Sequence, residues 1–180
     1  MIAVSLVVAL LLWSGARPAQ TSPSASSDIL IIDGKKDPAQ LPEWLVWEHA
    51  FMQIAMLKDK NTSITLALKQ GLSAEEFDRL EQEALKQDRR LEKAVKEAEP
   101  LQEQFKKRDP NDAKLMSWLN DQMQDLNVRY RRRTLDARDH VLLALRPESQ
   151  QVLYEWLGEI RASIIARVSK RDLERWRAPE

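Results

Sequence analysis

Two long stretches of the chain repeat apolar residues at alternating three- and four-residue steps, and this repeat restricts the fold more than any other feature. The first series is Phe77, Leu80, Ala84, Gln87, Leu91, Ala94, Ala98, Leu101 and Phe105. The second is Met116, Leu119, Met123, Leu126, Tyr130, Arg133, Ala137, His140 and Ala144. Such spacing places one stripe of side chains along a helix, as in coiled coils. We therefore predict an all-α fold, in which two long antiparallel helices form a hairpin with flanking helices.

Two polar residues interrupt the second series. Arg133 and His140 stand at stripe positions, so we expect either a partner on the opposing helix or a stretch where the seam opens to solvent. His140 also follows Asp136 by four residues. This spacing allows an oriented imidazole and carboxylate pair, or a plain pair on the helix surface.

Prolines and capping residues divide the helical part of the chain. The apolar register continues beyond Pro100, which favours a kink over an end to the first long helix. Asp109 and Pro110 are predicted to be the cap and the first residue of the second long helix. A last helix is expected from Pro147 to about Lys170.

The chain begins with an apolar run, Ile2 to Trp13, of the length of a signal-peptide core. It is shorter than the about 20 apolar residues that span a bilayer, although an uncleaved anchor is the alternative. Small residues Ser14-Gly15-Ala16 follow, and cleavage after Ala16 is expected, with a cut near Ala19 or Gln20 as the alternative. We predict a signal peptide within residues 1–20, a periplasmic or secreted protein, and no stable membrane span after cleavage.

Residues 21–41 are predicted to be a flexible linker and an extended segment, ahead of a helical domain over residues 42–177. Ser, Thr, Pro and Ala dominate the linker. The β-prone run Ile29 to Ile32 has no evident second strand, so we expect it to lie extended against the helices without forming a sheet.

A first helix is predicted from Pro42 to Lys60, and a shorter one from Ser63 to Gln70. Gly71 is expected to end the shorter helix in the left-handed conformation. Ser73 and Glu76 form a capping box, in which each residue satisfies a free amide of the other at the start of a helix.

The first helix presents one wide aromatic stripe, containing Trp44, Trp47, Phe51 and Ile54. Such a stripe needs a partner surface. Trp44 and Trp47 are therefore candidate partner-binding residues, and burial inside the monomer is the alternative.

His49, Met52 and Met56 share one face of the first helix, with Glu48 nearby. Soft Met and His ligands suit copper outside the cytoplasm, so these three residues are candidate metal ligands. Core packing is the more common role of such a methionine stripe. We predict no cofactor.

The chain carries 28 basic and 28 acidic residues and no cysteine. This balance gives no overall field for nucleic acid, and disulfides and thiolate metal sites are excluded. The densest cluster of cations is Arg129, Arg131, Arg132 and Arg133, which helical geometry spreads over more than one face. It is either a solvated basic face or a binding site for an acidic partner.

The sequence contains no Gly-rich phosphate loop, no Gly-x-Ser-x-Gly turn and no His-Glu-x-x-His helix. Four glycines in the whole chain leave few of the tight turns from which active sites are often built. We therefore predict a protein that is not an enzyme and that has no catalytic residues.

Two short segments that each open a helix resemble the Leu-Thr-x-x-Gln motif of the Spy/CpxP family of periplasmic helical proteins. They are Leu72 to Glu76 and Leu145 to Gln150, and the resemblance covers residues 72 to 171. Ser73 matches the capping chemistry of Thr, whereas Arg146 stands in place of Thr, Glu76 in place of Gln, and Gln150 is displaced by one position. The resemblance implies an ATP-independent envelope chaperone or stress adaptor, usually a homodimer, that holds partly folded client proteins.

The sequence thus predicts an exported helical protein that binds other proteins. A structural or assembly protein of the cell envelope is one alternative, and a metal-responsive periplasmic sensor is the other.

Overall fold

A computed structural model describes residues 29–56, 68, 70–107, 109 and 112–177 of the 180-residue chain. The predicted signal peptide at residues 1–20 and linker residues 21–28 lie outside the described residues. So do the predicted end of the first helix at residues 57–60 and most of the predicted short helix over residues 63–70. Pro110, the predicted first residue of the second long helix, lies outside them as well.

The predicted all-α fold is confirmed. The elements are β1 (Ile29–Asp33), a 3-10 helix (Pro38–Gln40), α1 (Glu43–Ala55), α2 (Ala74–Lys107), α3 (Ala113–Ala144), α4 (Pro147–Ser163), β2 (Ile165–Ser169) and α5 (Lys170–Arg177). No helix among the described residues is both long enough and apolar enough to cross a membrane.

The helices α2 and α3 form the predicted antiparallel hairpin. Residues early in α2 contact residues late in α3: Gln87 bonds to Thr134, whereas Glu97, further along α2, pairs with Arg129, which comes earlier in α3. The hairpin follows from the two apolar series, because each stripe is buried when it faces the other.

Pro100 lies inside α2, which continues to Lys107. The prediction that the helix passes this proline is therefore confirmed. The start of α3 differs from the prediction, because the helix begins at Ala113 and the carboxylate of Asp112 accepts the amide N–H of Leu115 at 3.0 Å. Asp112 caps α3 in the position predicted for Asp109.

The buried stripe of α3 shifts by one residue after Tyr130. Thr134 and Val141 are buried, whereas the predicted stripe residues Arg133 and His140 are exposed. An α-helix has 3.6 residues per turn, so a straight helix departs from a seven-residue repeat and an extra four-residue step restores the register. The two polar side chains are therefore on the surface, and neither interrupts the seam.

The prediction that Ile29 to Ile32 forms no sheet is wrong. The strand β1 pairs with β2 in a two-stranded sheet. The last helix is predicted to continue to about Lys170, because the apolar spacing of β2 also fits a helix. Instead, α4 ends at Ser163, and Ile164 has extended backbone angles of φ −81° and ψ 126°. The run from Ile164 to Val168 is rich in β-branched residues, which favour strands over helices.

The chain divides into two compact units, and α2 and α3 each contribute a segment to both. The sheet unit contains described residues 29–32, 93–129 and 165–177. The α1 unit contains the described residues within 33–92 and 130–164. In the sheet unit, the buried core of the hairpin is formed by Ala98, Phe105, Leu119, Met123 and Leu126. In the α1 unit, α1 packs on α4.

Gly71 does not adopt the predicted left-handed conformation, since its φ lies outside that region. It is the last residue of a helical turn, in which the N–H of Leu72 donates to the carbonyl of Leu68 at 2.8 Å. A Cβ atom here would lie 2.5 Å from a methyl carbon of Val152. The close approach of Val152 explains the glycine.

We predict that Gly34→Ala and Gly158→Ala have opposite effects on stability. A Cβ at Gly34 would lie 1.9 Å from the carbonyl oxygen of Arg161, so the backbone must move, and we expect a loss of about 2 to 4 kcal/mol. Gly158 is exposed in α4, and a Cβ there would meet no atom within 4 Å. Alanine at this position should gain about 0.5 to 1 kcal/mol. Urea unfolding measures both, and equal effects would contradict the described packing.

Candidate functional site

A fully buried carboxyl group lies at the centre of the α1 unit. Glu48 is on α1 with 0% exposure, between buried residues Trp47 and Ala50. Among the described residues, neither carboxyl oxygen accepts a hydrogen bond. Burial raises the pKa of Glu48 to about 8, against the smaller opposing effect of the positive charge of Arg131. The group therefore holds its proton at neutral pH, because ionisation without hydrogen bonds is costly in the interior.

Arg131 connects α3 to this part of α1. Its guanidinium carbon lies 4.5 Å from the centroid of a Trp44 ring. A cation above an indole face is attracted by the ring quadrupole, and the attraction increases when water is excluded. Arg131 is thus a packing residue of the α1 unit, and the other arginines of the predicted cluster have different surroundings.

A chain of polar groups continues from α3 to α2. The Gln87 side-chain amide donates to Thr134 Oγ1 at 2.6 Å, and the Thr134 hydroxyl donates to the carbonyl of Tyr130 at 3.1 Å. Arg90 donates to the amide oxygen of Gln87 at 3.3 Å. Burial and the nearby Glu48 raise the pKa of the Tyr130 phenol. These contacts explain the polar residue in the first apolar series, because Gln87 has a partner directly across the seam.

The predicted capping box is confirmed at the start of α2. The N–H of Ser73 donates to Glu76 at 2.8 Å, and the N–H of Glu76 donates to Ser73 Oγ at 3.3 Å. The Glu76 carboxylate also accepts bonds from the start of α4: Arg146 donates through its backbone N–H at 3.0 Å and its guanidinium at 3.2 and 3.1 Å, and Ser149 through its hydroxyl at 3.0 Å. Arg146 holds the pKa of Glu76 well below its usual range.

The two motif segments are therefore in direct contact through a network of charge-assisted bonds, which are stronger than neutral ones. The departures from the motif compensate each other. Arg146 cannot accept bonds from the amides of α4, and instead it donates to Glu76, which stands in place of Gln. Gln150 donates to the carbonyls of Leu142 and Leu145 at 2.8 and 3.2 Å. It thereby satisfies carbonyl groups at the end of α3.

The predicted arginine cluster does not form one surface. Arg129 pairs with Asp125 at 3.0 Å and with Glu97 at 3.8 Å in the sheet unit. Arg131 packs on Trp44, whereas Arg132 and Arg133 are exposed. Each residue of an α-helix is rotated by about 100° from the previous one, so four nearby arginines necessarily point in different directions.

Trp44 and Trp47 are buried, with 4% and 1% exposure. In the described conformation they pack inside the α1 unit, which is the alternative considered for the aromatic stripe, and a role in partner binding stays a prediction. The reason is that α1 is apolar on nearly all sides, as is typical of a buried helix.

The three candidate metal ligands differ in their exposure along α1, and their role in metal binding stays a prediction. His49 is partly buried, and its Nδ1 lies 2.9 Å from the carbonyl oxygen of Leu45. Met52 is half-buried on α1, and Met56 is exposed at its end. The described residues contain no group of three or more His, Cys, Asp or Glu side chains that could hold a metal ion. His140 and Asp136 are both exposed.

A surface that sequence reasoning missed lies on the two-stranded sheet. Ile29, Ile31 and Ile165 are 55%, 65% and 70% exposed, and we call them the isoleucine face. They alternate with more buried residues along their strands, so they share one side of the sheet with exposed Arg167. The sequence signal for this surface is a second β-prone run, Ile164 to Val168, whose spacing also fits a helix. The burial of Glu48 also has a signal in the sequence. Glu48 lies four residues after Trp44 and three before Phe51, which is the spacing of the aromatic stripe.

No family model, curated protein or solved structure matches the chain. The resemblance to Spy/CpxP proteins therefore stays a prediction that depends on the two motif segments.

We predict that Glu48→Gln changes how stability depends on pH. The folded carboxyl keeps its proton up to about pH 8, whereas in the unfolded chain the ordinary pKa is 4.5. Between these values the folded state binds more protons, so stability falls as pH rises, by at most about 1.4 kcal/mol per pH unit. Glutamine removes this contribution. Unfolding from pH 5 to 8 should therefore show a flatter profile for Glu48→Gln than for wild type.

The matched control is Glu92→Gln, because the Glu92 side chain is exposed on α2. A profile of Glu48→Gln that parallels the wild-type profile would show that Glu48 is ionised in the folded protein.

Proposed function

We propose that this protein is an exported, non-enzymatic protein that binds other proteins, in the manner of an ATP-independent chaperone or stress adaptor. The observation that carries the proposal is the isoleucine face. Three large β-branched side chains, each more than half exposed, lie together on one side of the sheet. Exposed apolar side chains that form one contiguous patch often mark an interaction site.

Other features support the same class of function. In the sheet unit, Trp118 and Val128 of α3 are also exposed, near charged side chains such as Asp121 and Asp125. Mixed apolar and charged surfaces adapt to varied partners. In the α1 unit, exposed Arg132 and Arg133 offer cationic contacts for acidic partners.

The charged and polar groups inside the α1 unit do not favour catalysis. The Glu76 carboxylate is engaged by Ser73, Arg146 and Ser149. Glu48 is closed off from solvent at 0% exposure. We accordingly assign the Glu76 network to holding helices together and the exposed surface to binding.

An aggregation assay tests this proposal. A chemically unfolded model client is diluted with an equimolar amount of the protein, and light scattering is followed. We expect suppressed scattering with wild type and lost suppression when Ile29, Ile31 and Ile165 are changed together to Ser. Leu143→Ser is the matched control, because Leu143 is 86% exposed but lies outside the isoleucine face. Scattering that is unchanged at several-fold excess of wild type would overturn the proposal.

A further inference from the structure

Among the described residues, the strand β1 has one edge without a neighbouring strand. Within the described part of the chain the sheet contains two strands, so β1 pairs with β2 on one side only. The N–H of Gly34 donates to the carbonyl of Ile164 at 2.9 Å. This bond joins the residue after β1 to the residue before β2, so the strands are antiparallel. Continuing the register places Ile31 opposite Arg167.

The same bond shows which backbone groups point to the outer edge. In an antiparallel pair, successive residues alternate between bonding to the partner strand and pointing away from it. Because Gly34 bonds toward β2, Leu30 and Ile32 do so as well. The N–H and C=O groups of Ile29 and Ile31 therefore point outward. Their side chains belong to the isoleucine face.

The outer edge of β1 lacks the usual protection against strand addition. Natural edge strands carry charges, prolines or bulges that discourage pairing with another chain. The first four residues of β1 are Ile, Leu, Ile and Ile, and its one charged residue is Asp33 at the end. On the paired strand, Arg167 is the charged residue that shares the exposed side with the three isoleucines.

We propose that an extended, β-prone segment of a client protein adds to β1 as a third strand. Its main chain bonds to the outward groups of Ile29 and Ile31, and its alternate apolar side chains pack on the isoleucine face. Arg167 lies opposite Ile31 on the same side of the sheet, whereas Asp33 lies at the end of β1, so an acidic side chain beside Ile31 and away from Asp33 is preferred. This inference rests on the proposed function and names the conformation and composition of the segment that is bound.

A peptide-binding experiment with the full chain tests the inference. The probe is a fluorescent peptide of about seven residues, the length of an ordinary strand, that alternates Thr with Val and has Glu in place of the central Val, so that Val and Glu share one face. Its matched control is the same peptide methylated on the backbone nitrogens of one edge, which keeps the apolar content and removes donors. We expect anisotropy to show binding of the first peptide and binding at least about tenfold weaker for the second. Equal binding of both would overturn the inference.

Two substitutions in β1 provide the complementary test. Ile31→Pro removes one outward N–H and leaves the bonds to β2 in place, as proline is tolerated on an edge. Ile31→Thr keeps the donor and the strand preference. We expect the peptide to lose affinity for the first variant and to bind the second. Circular dichroism checks whether each variant is folded. If Ile31→Pro does not fold, the comparison of the two peptides on the wild-type protein tests strand addition instead.

The remaining outcomes separate the two proposals. If Ile31→Pro is folded and still binds the peptide and suppresses aggregation, strand addition is wrong while the proposed function stands. If wild type neither binds the peptide nor suppresses aggregation, the proposed function fails as well. Sedimentation velocity tests whether a second copy of the chain occupies the edge. If wild type is a dimer, Ile31→Pro is a monomer and wild type binds no peptide, the edge belongs to a second copy and the inference is overturned.

Discussion

The seam between α2 and α3 is the constraint on which the rest of the structure depends. Each helix has one apolar stripe and an otherwise charged surface, so most of its stability comes from packing that stripe against another surface. Pairing buries both stripes, and the bond from Gln87 to Thr134 selects one register within the α1 unit. A buried polar pair discriminates between registers because any shift leaves polar groups unsatisfied. The contacts of α1 with Arg131 and of Glu76 with Arg146 are possible only in that register.

Sequence periodicity predicted the features that depend on repeated, local patterns. The long hairpin, the passage through Pro100 and the capping box at Ser73 follow from spacing and from short-range chemistry. The shift of the α3 stripe to Thr134 and Val141 did not, because a small difference between 3.5 and 3.6 residues per turn accumulates gradually. The strand β2 was missed since Ile160, Ile164 and Val168 also fit helical spacing, and only pairing with distant β1 decides between the two structures.

The candidate site was less predictable than the fold. Whether Trp44 is buried and whether Arg131 faces inward depend on how α1 packs against α3, and residue type alone does not determine this. The two motif segments provide a further example, because the substitutions at Glu76 and Arg146 look independent in the sequence. In the structure they form one network with Ser149. The isoleucine face became visible only when two short runs from opposite ends of the described chain were found in one sheet.

Polar groups thus hold the α1 unit together, whereas the isoleucine face is exposed among the described residues. The proposed strand addition requires that β1 bonds to β2 through alternate residues and leaves its other edge unpaired. Amide hydrogen exchange followed by NMR tests this requirement directly. Protection should be found for the N–H groups of Leu30 and Ile32, and those of Ile29 and Ile31 should exchange rapidly. Protection of Ile31 equal to that of Ile32 in the isolated protein would contradict this arrangement, because the edge would already be covered.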